Sequence, residues 1–312
     1  MATYKQEVVL TKWVAELRFD QMDFIAEKIA MKVSTNGAIA GIYYEYEKSP
    51  ITPVDDRMSP KGESKSIETR GKFRERQFTC YEYGLSDGIR IDAPDPLGRS
   101  QEAQAKEVVA KLVKTRRLNK ELQLKALLDG ATSSAVANPW DSNAATIEKD
   151  LSDKCRLFGD IAGVMPNTII IPYNVWETMV MNATFRDLFK IKEGDVRKES
   201  DITAIIRGRF PFIKEVVIPI LKYTNSTGSI VDLWDVKNIW LLSIGGEKDN
   251  ETQEYIGTPT EFTFISKFEN KKETVGSWLS ENGKIKYYEV TECYDLRVIC
   301  SNACLRITNV LS

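Results

Sequence analysis

The longest helical pattern in the chain runs from Ser100 to Leu128. Apolar residues recur there at roughly helical spacing, at Val108, Val109, Leu112, Val113, Leu118, Leu122, Leu127 and Leu128. Gly130 follows and indicates where the helix ends. With a rise of about 1.5 Å per residue, the helix would be about 40 Å long, which exceeds what a small domain needs. The pattern therefore predicts a helix that runs along an elongated subunit.

A long charged segment separates two strand patterns in the first third of the chain. Aromatic and β-branched residues predict strands at 39–46 and 78–85, whereas residues 47–72 carry three prolines, many charges and almost no core-forming side chains. Unstructured connections of this length are either functional or disordered. Two interpretations stay open: a flexible surface loop, or a long hairpin that projects onto a neighbouring subunit. The two flanking strands favour the hairpin.

The middle of the chain alternates short helical and strand patterns. An amphipathic helix is predicted by Ile147, Leu151, Cys155 and Phe158, and Gly163 ends it. The apolar run at 168–171 is typical of a strand buried on both faces. Further helices are predicted at 173–181 and 202–207, and further strands at 216–218 and 239–244. This alternation indicates an α/β sandwich.

Long strand patterns return in the tail, from Thr258 to Val310. Asn282 and Gly283 separate two of them and suit a hairpin turn, because Asn-Gly readily adopts positive φ angles. We expect the tail to complete the sheet begun at 39–46. Near the other end, residues 14–30 show a loose helical pattern and residues 31–34 a strand pattern.

Composition excludes several classes of protein. The 312 residues are 42% hydrophobic, which supplies a proper core, and the net charge of -2 argues against a dedicated nucleic-acid binder. The start of the chain has no apolar run typical of a signal peptide, and no stretch approaches a membrane span. We therefore expect synthesis in the cytoplasm and no membrane partner.

The sequence offers little catalytic chemistry. It contains no histidine, which removes the commonest general base and metal ligand. The five cysteines lack the spacing of a zinc site or redox dithiol, so we interpret them as reduced core residues. No phosphate-binding loop, dinucleotide fingerprint or nucleophile motif is present. We predict no catalytic residue, no metal site and no cofactor.

One face of the long helix is rich in basic residues. They are Lys106, Lys111, Lys114, Arg116, Arg117, Lys120 and Lys125, against the acidic Glu102, Glu107 and Glu121. A charged helix face is usually solvated. The alternative is a surface turned toward packaged polyanion, and both interpretations stay open.

The order of these segments resembles the tailed-bacteriophage major capsid proteins with the Hong Kong 97-type fold, from about Phe24 to Val310. FIAEKIAMKV before GIYYEY resembles the family's N-terminal arm and first strand, and the charged loop takes the place of its extended E-loop. The segment WDSNAATIEKDLSDKCRLFGDIAGVMPNTIIIP is the closest match, to the start of the axial domain. SDITAIIRGRFPFIKEVVIP and VKNIWLLSI resemble the helix and strands that follow.

The resemblance implies an α+β, Hong Kong 97-like capsid fold with four parts. These are an N-terminal arm (1–36), a first peripheral part (37–138) with the E-loop (47–72) and spine helix (100–128), an axial α/β domain (139–257), and peripheral return strands (258–312). Only about two dozen residues precede Phe24, so the resemblance implies a separate scaffold or none.

The function implied is that of a structural subunit, not an enzyme. Copies would form pentamers and hexamers and close an icosahedral virion capsid around double-stranded DNA, contacted non-specifically. Further partners would be separate scaffolding, portal and decoration proteins. Two alternatives stay open: an encapsulin-like bacterial nanocompartment shell with the same fold, and an α+β enzyme with a Lys or Cys nucleophile.

Three groups of residues follow from the resemblance. The expected intersubunit residues of the E-loop are Arg57, Lys61, Glu63, Lys65, Glu68 and Arg70. The expected intersubunit residues of the N-terminal arm are Phe24, Ile25 and Ile29. The expected lumenal, DNA-facing residues are Lys111, Lys114, Arg116, Arg117 and Lys120. Covalent cross-linking through Lys61 or Lys65 is not expected, because nothing in the sequence identifies an acceptor.

Overall fold

A computed structural model describes most of the chain. The described residues are 4–17, 24–47, 73–92, 97–142, 144–182, 185, 199–234, 237–250, 252–258 and 260–312, with the backbone alone for 199–203. Residues 48–72 of the predicted E-loop lie outside them.

The described part of the chain contains six α-helices. They are α1 (Val8–Glu16), α2 (Ala26–Ile29), α3 (Gln101–Asp129), α4 (Ile147–Ala162), α5 (Tyr173–Met181) and α6 (Glu199–Arg209). The predicted spine helix is confirmed as α3, which has 29 residues and begins where the Ser100 hydroxyl accepts a hydrogen bond from the Ala103 amide. The predicted end of α4 is confirmed as well, since Gly163 takes a positive φ of 77° there.

Sixteen strands lie within the described residues. In chain order they are β1 (Lys5–Gln6), β2 (Met31–Ser34), β3 (Ala40–Tyr46), β4 (Phe73–Thr79), β5 (Tyr81–Arg90), β6 (Thr132–Ala135), β7 (Thr168–Ile170), β8 (Glu215–Val217), β9 (Lys222–Thr224), β10 (Ile230–Asp232), β11 (Ile239–Leu242), β12 (Glu247–Lys248), β13 (Tyr255–Ile256), β14 (Ile265–Leu279), β15 (Ile285–Val298) and β16 (Cys304–Thr308).

The largest sheet is built around the long hairpin of β14 and β15. Its strand order is β12-β13-β2-β14-β15-β5, and β1 pairs with β14 beyond the end of β2. The turn between the two long strands contains Gly283 with a φ of 67°, as the Asn-Gly pair predicts. Helix α3 packs across this sheet, where Val109 and Val113 meet Val275 and Val290 in one apolar cluster.

A second sheet of five strands has the order β6-β16-β11-β7-β8. Strand β11 is buried on both faces, as its apolar run predicts. Ile239 and Leu241 face a cluster with α4 and α5, whereas Trp240 and Leu242 face a second cluster with the end of α3. The predicted α/β unit therefore packs directly against the rest of the subunit.

The base of the charged loop is a hairpin of its own. Strands β3 and β4 pair antiparallel from Ala40–Thr79 to Tyr46–Phe73. The predicted hairpin base is confirmed, but its second strand ends at Thr79. Residues 81–90 form β5, which pairs with β15 instead.

Two expectations about the tail are wrong. The tail does not extend the sheet of β3, because β14 and β15 pair with β2 and β5, and only an isolated bridge joins Tyr46 to Cys300. The expected division into 139–257 and 258–312 also differs from the sheets. Strand β6 lies before residue 139 and strand β16 lies after residue 257, but both belong to the five-stranded sheet. The reason is that β16 pairs with the buried β11 through Leu305 and Ile307.

The N-terminal segment wraps around the exposed edge of β14. Lys5 and Gln6 pair with Ser277 and Gly276, and α1 continues onto the face that carries α3. The ring of Tyr4 lies over Gly276, where an added Cβ would clash with the Tyr4 ring and hydroxyl. Glycine at this position therefore lets the Tyr4 ring lie against the sheet.

We expect Gly276→Ala to lower the free energy of unfolding by about 1–3 kcal/mol, because the new methyl group displaces Tyr4 and strand β1. Urea unfolding measures the change. Gly208→Ala is the matched control, since a Cβ at this helical position meets no atom within 4 Å. Removing the opposing ring with Tyr4→Ala should recover part of the loss, and an equal loss in the presence and absence of Tyr4 would contradict this account.

Candidate assembly interface and the buried charge cluster

Six charged side chains, five of them buried and Glu27 partly exposed, meet in one place, and we call them the buried charge cluster. Its members are Glu27 on α2, Arg116 and Lys120 on α3, Lys267 and Glu269 on β14, and Glu292 on β15. Charged groups are rarely buried unless they are paired, because loss of hydration costs several kcal/mol per ion. Nearly all of these charges therefore have to be paired with one another for the fold to be stable.

Glu292 is the centre of the cluster. Its carboxylate accepts from Arg116 Nη2 at 2.8 Å and from Lys120 Nζ at 2.9 Å, and it pairs with Lys267 Nζ at 2.7 Å. Its side chain is only 2% exposed. One buried carboxylate thus binds three cations that come from α3 and β14.

Glu27 brings the N-terminal segment into the same cluster. Its carboxylate lies 3.0 Å from Lys267 Nζ and also pairs with Lys120. The neighbouring Glu121 is fully buried on α3 and accepts hydrogen bonds from the amides of Ile25 and Ala26, at 3.1 and 2.9 Å. These amides belong to the first turn of α2, whose partial positive charge favours a carboxylate. Helix α2 is therefore held to the spine helix by charge at two points.

The pKa values of the cluster reflect this mutual compensation. Burial alone would raise the pKa of Glu27, but Lys120 and Lys267 hold it far below its usual value. Burial acts in the same way on Glu292, and the same two lysines lower its pKa. Burial would lower the pKa of Lys267, but Glu27, Glu292 and Glu269 raise it well above its usual value. All three groups are therefore charged near neutral pH.

The cluster continues to the other end of the large sheet. Glu269 pairs with Lys267 at 3.1 Å and with Lys32 at 2.8 Å. Lys32 also pairs with Glu254 at 3.3 Å, next to β13. A row of alternating charges therefore joins α3, the long hairpin, β2 and the segment before β13.

The expectation of a DNA-facing basic surface is corrected for three residues. Arg116 and Lys120 are each 4% exposed and point into the buried charge cluster. Arg117 is half-buried and donates to the carbonyl oxygens of Leu17 and Val14, which ties α1 to α3. These residues lie on the side of α3 that packs against the subunit. Lys111 and Lys114 are exposed, so their predicted role stays a prediction.

The expectation that the arm residues contact other subunits is also wrong for two residues. Ile25 and Ile29 are 0% and 2% exposed and pack in the core of their own chain, and Phe24 is half-buried against the same cluster. Their apolar pattern reflects the docking of α2, which the charges of Glu27 and Glu121 accompany.

The predicted E-loop residues Arg57, Lys61, Glu63, Lys65, Glu68 and Arg70 lie outside the described residues. The hairpin beneath them is described, and its surface is exposed along most of β4. Ile42 and Phe73 are 59% and 48% exposed there. Two ion pairs between the strands, Arg76 with Glu45 and Arg74 with Glu47, lie on the surface of this hairpin. The hairpin thus exposes two large apolar side chains among charged ones, and such a mixed surface suits contact with another molecule.

Among the described residues, no group of three or more Cys, Asp or Glu side chains could hold a metal ion. The described helices include none long and apolar enough to cross a membrane. Burial raises the pKa of Cys155 to about 12, so its thiol is protonated near neutral pH and is a poor nucleophile.

The buried cluster was missed at the level of sequence, although a signal was present. Lys267 lies next to Phe268 and two positions from Ile265, and Glu292 lies next to Cys293 and two positions from Val290. Charges within such strands indicate buried pairs. The partners are 172 and 240 residues apart for Lys120 with Glu292 and for Glu27 with Lys267, so the sequence alone cannot match them.

Solved structures share this fold over nearly the whole chain. A phage-related protein from Bordetella bronchiseptica RB50 matches with a TM-score of 0.71 at 14% identity, over 99% of this chain and 98% of that chain. The capsid protein of cyanophage P-SCSP1u matches with 0.51 at 11% identity, over 94% and 90%. A virus-like particle from Pyrococcus furiosus matches with 0.52 at 9% identity, over 96% and 97%.

The chain therefore has the α+β, Hong Kong 97-type fold of tailed-phage major capsid proteins, as its sequence indicates. No protein-family model matches the sequence, and no curated protein matches it.

We expect Glu292→Gln to lower the free energy of unfolding by about 3–5 kcal/mol, because three buried cations then share a neutral partner. Urea unfolding at neutral pH measures the loss. The matched control is Glu102→Gln on the exposed part of α3, where the pair with Lys106 contributes about 0–1 kcal/mol. Similar losses in the two variants would show that the buried charge cluster does not stabilise the fold.

Stability should fall in acid. Because the folded pKa values of Glu27 and Glu292 are lowered, their ionised forms stabilise the fold above the ordinary Glu pKa of about 4.3, and this is lost as pH decreases below it. The slope should be about 1.4 kcal/mol per pH unit for each carboxylate that gains a proton on unfolding. Glu273 acts in the opposite direction, because burial raises its pKa.

Urea midpoints measured between pH 6 and pH 3 test this dependence. The Glu292→Gln variant should show a shallower slope than the unaltered chain, whereas Glu102→Gln should nearly retain it. A stability that does not change over this range would contradict the ionised state of the cluster.

Proposed function

We propose that this protein is a structural capsid subunit whose copies assemble as pentamers and hexamers into an icosahedral shell around phage double-stranded DNA. The observation that carries the proposal is the match of nearly the entire chain to a phage-related protein, at a TM-score of 0.71, and to the capsid protein of a cyanophage. A match over the whole length includes the hairpin, the spine helix and both sheets.

The surface of the subunit supports an assembly function. Large apolar side chains are exposed on separate elements, including Val9 on α1, Ile42 on β3 and Ile230 on β10, at 75%, 59% and 74%. They are distributed around the subunit and do not line one deep cleft. A shell subunit needs several moderate contacts with copies of itself, and such a distribution provides them.

The interior supports it as well. The buried charge cluster links α2, α3 and the long hairpin, which are the parts that a shell subunit has to hold in one geometry against its neighbours. A subunit with a rigid centre and exposed edges can make the same contacts repeatedly. The expected partners remain other copies of the chain together with separate scaffolding, portal and decoration proteins.

The E-loop residues from Arg57 to Arg70 are proposed to lie on a neighbouring copy, above the exposed hairpin of β3 and β4. Exposed ion pairs contribute about 0–1 kcal/mol each, so many are needed along with apolar contacts such as Phe73. Lys111 and Lys114 are proposed to face the packaged DNA.

The nanocompartment alternative has no additional support. The virus-like particle from Pyrococcus furiosus matches about as well as the cyanophage capsid protein, with TM-scores of 0.52 and 0.51, and less well than the phage-related protein. An enzyme with a cysteine nucleophile is disfavoured by the protonated Cys155.

We expect the purified protein to form rings, shells or tubes that negative-stain microscopy and sedimentation velocity detect. Reversing two loop charges with Lys61→Glu and Lys65→Glu should reduce the assembled fraction without changing the circular dichroism spectrum, because these residues are proposed to contact a neighbour. The control is Lys149→Glu on α4, which should assemble normally. A stable monomer across salt, pH and protein concentration would contradict the proposed function.

A further inference from the structure

Strand β5 is the last strand of the large sheet, and one of its edges is open. It runs for ten residues, from Tyr81 to Arg90, and all ten pair with β15 on one side. In the part of the chain that the structure describes, no strand pairs with the other side. An open edge of this length presents a row of backbone donors and acceptors that readily pair with another strand.

We propose that β5 of one copy pairs antiparallel with β5 of a second copy, about a two-fold axis that lies midway between Ser86 and its own copy. The two large sheets would then join into one continuous sheet across the contact. This contact concerns two copies only and does not depend on whether they go on to close a shell.

Symmetry limits the ways in which two such strands can pair. A two-fold axis that relates neighbouring antiparallel strands is perpendicular to the sheet, so each face of one sheet continues as the same face of the other. Residues directly opposite share a face, which requires that one residue oppose its own copy, with the axis midway between the two. Near the middle of β5, the axis can lie at Leu85, Ser86 or Asp87.

Charge selects the register centred on Ser86. In that register Glu82 lies opposite Arg90 of the partner subunit, and Arg90 opposite Glu82 of the partner subunit, so both ends of the contact pair opposite charges. Gly84 lies opposite Gly88 of the partner subunit. A register centred on Asp87 would place two aspartates together and Glu82 opposite Asp92 of the partner subunit. One centred on Leu85 would leave Glu82 opposite Gly88 of the partner subunit, with no charge pair.

The residues of this register are available. Glu82, Ser86 and Arg90 are all exposed in the subunit. Arg90 pairs with Asp92 at 3.2 Å, and Glu82 lies 3.7 Å from Lys271, but these side chains are exposed and such pairs contribute little. Replacing these pairs by a cross-strand pair therefore costs little free energy.

The side chains near the axis do not obstruct the approach. Gly84, Ser86 and Gly88 share the face of the sheet opposite α3, and their own side chains are small or absent. A Cβ at Gly88 would meet the side chains of Ile285 and Tyr287 from β15 at 2.7 and 2.9 Å. Those neighbours lean over β5 on this face, and the absence of a side chain at Gly88 leaves them the space that they occupy. The α3 face is closed by Leu85 and Ile89 in the apolar cluster.

Ser86→Cys tests the position of the axis. Two cysteines that oppose each other across the axis should form a disulfide between copies under mild oxidation by oxidised glutathione, and non-reducing electrophoresis should show a covalent dimer. The five native cysteines are buried, so the background is low. Ser133→Cys is the matched control, because Ser133 is also an exposed serine on an edge strand, β6.

Charge reversal in the Ser86→Cys background tests the register. Glu82→Arg or Arg90→Glu alone places two like-charged pairs across the axis and should lower the initial rate of dimer formation about fivefold. The double variant with both reversals restores opposite charges and should recover a rate within about twofold of the parent. Circular dichroism of each variant verifies that the subunit is folded.

Dimer formation by Ser86→Cys that exceeds the control, with loss on single reversal and recovery on double reversal, supports the contact. A yield no higher than that of Ser133→Cys, or a double reversal as slow as the singles, overturns it. Microscopy of the same samples separates this result from the proposed function. Shells without cross-linked Ser86→Cys refute the strand pairing alone, whereas cross-linked dimers that never assemble refute the shell alone.

Discussion

The pairing of Glu292 with three cations is the interaction on which the rest of the subunit depends. A carboxylate that is 2% exposed is tolerated only where its charge is fully compensated, and Arg116, Lys120 and Lys267 provide that compensation. Each of these cations lies on a different turn or strand, so the spine helix and the long hairpin must adopt one relative position for all three contacts to form. Apolar packing alone would permit small shifts between a helix and a sheet. Directional charge pairs in a low-dielectric interior do not, because every shift leaves a buried ion without a partner.

The same network explains why a helix of four residues is stable at the N-terminal end. Isolated helices of this length do not persist in water. Helix α2 is instead specified from outside, by the Glu121 carboxylate at its first amides and by Glu27 in contact with Lys120 and Lys267. Ile25 and Ile29 then fill the core beside it. Charge and apolar burial act together here, and a segment that resembles a free arm becomes part of the body of the subunit.

The sequence predicted those elements whose signals are local. Helix α3 with its Ser100 cap, helix α4 with Gly163 at its end, and the Asn-Gly turn of the long hairpin all depend on residues within a few positions of each other. The environment of the basic residues of α3 was predicted less well, because a helix rich in Lys and Arg resembles a solvated helix whether or not its charges are buried. Arg116 and Lys120 are indistinguishable from Lys111 and Lys114 in sequence, and only the distant Glu292 separates the buried pair from the exposed pair. The sequence did not predict which strands share a sheet for the same reason. Thr132 of β6 and Leu305 of β16 are parallel partners 173 positions apart, and their pairing has no local signal in the sequence.

The burial of these cations also changes the electrostatic character of the spine helix toward any polyanion. Of the five residues expected to face DNA, Arg116 and Lys120 are neutralised by Glu292, and Arg117 is engaged with backbone carbonyls and Glu273. Lys111 and Lys114 remain exposed, and Lys111 lies 3.3 Å from Asp87. For each phosphate that a protein neutralises, its affinity for DNA depends on salt more steeply, by roughly one power of the salt concentration. In the proposed DNA-facing role, the two exposed lysines of this helix would therefore contribute only weak, non-specific attraction. A shell lining with that property would hold packaged DNA in place through its many copies while leaving each individual contact easy to release.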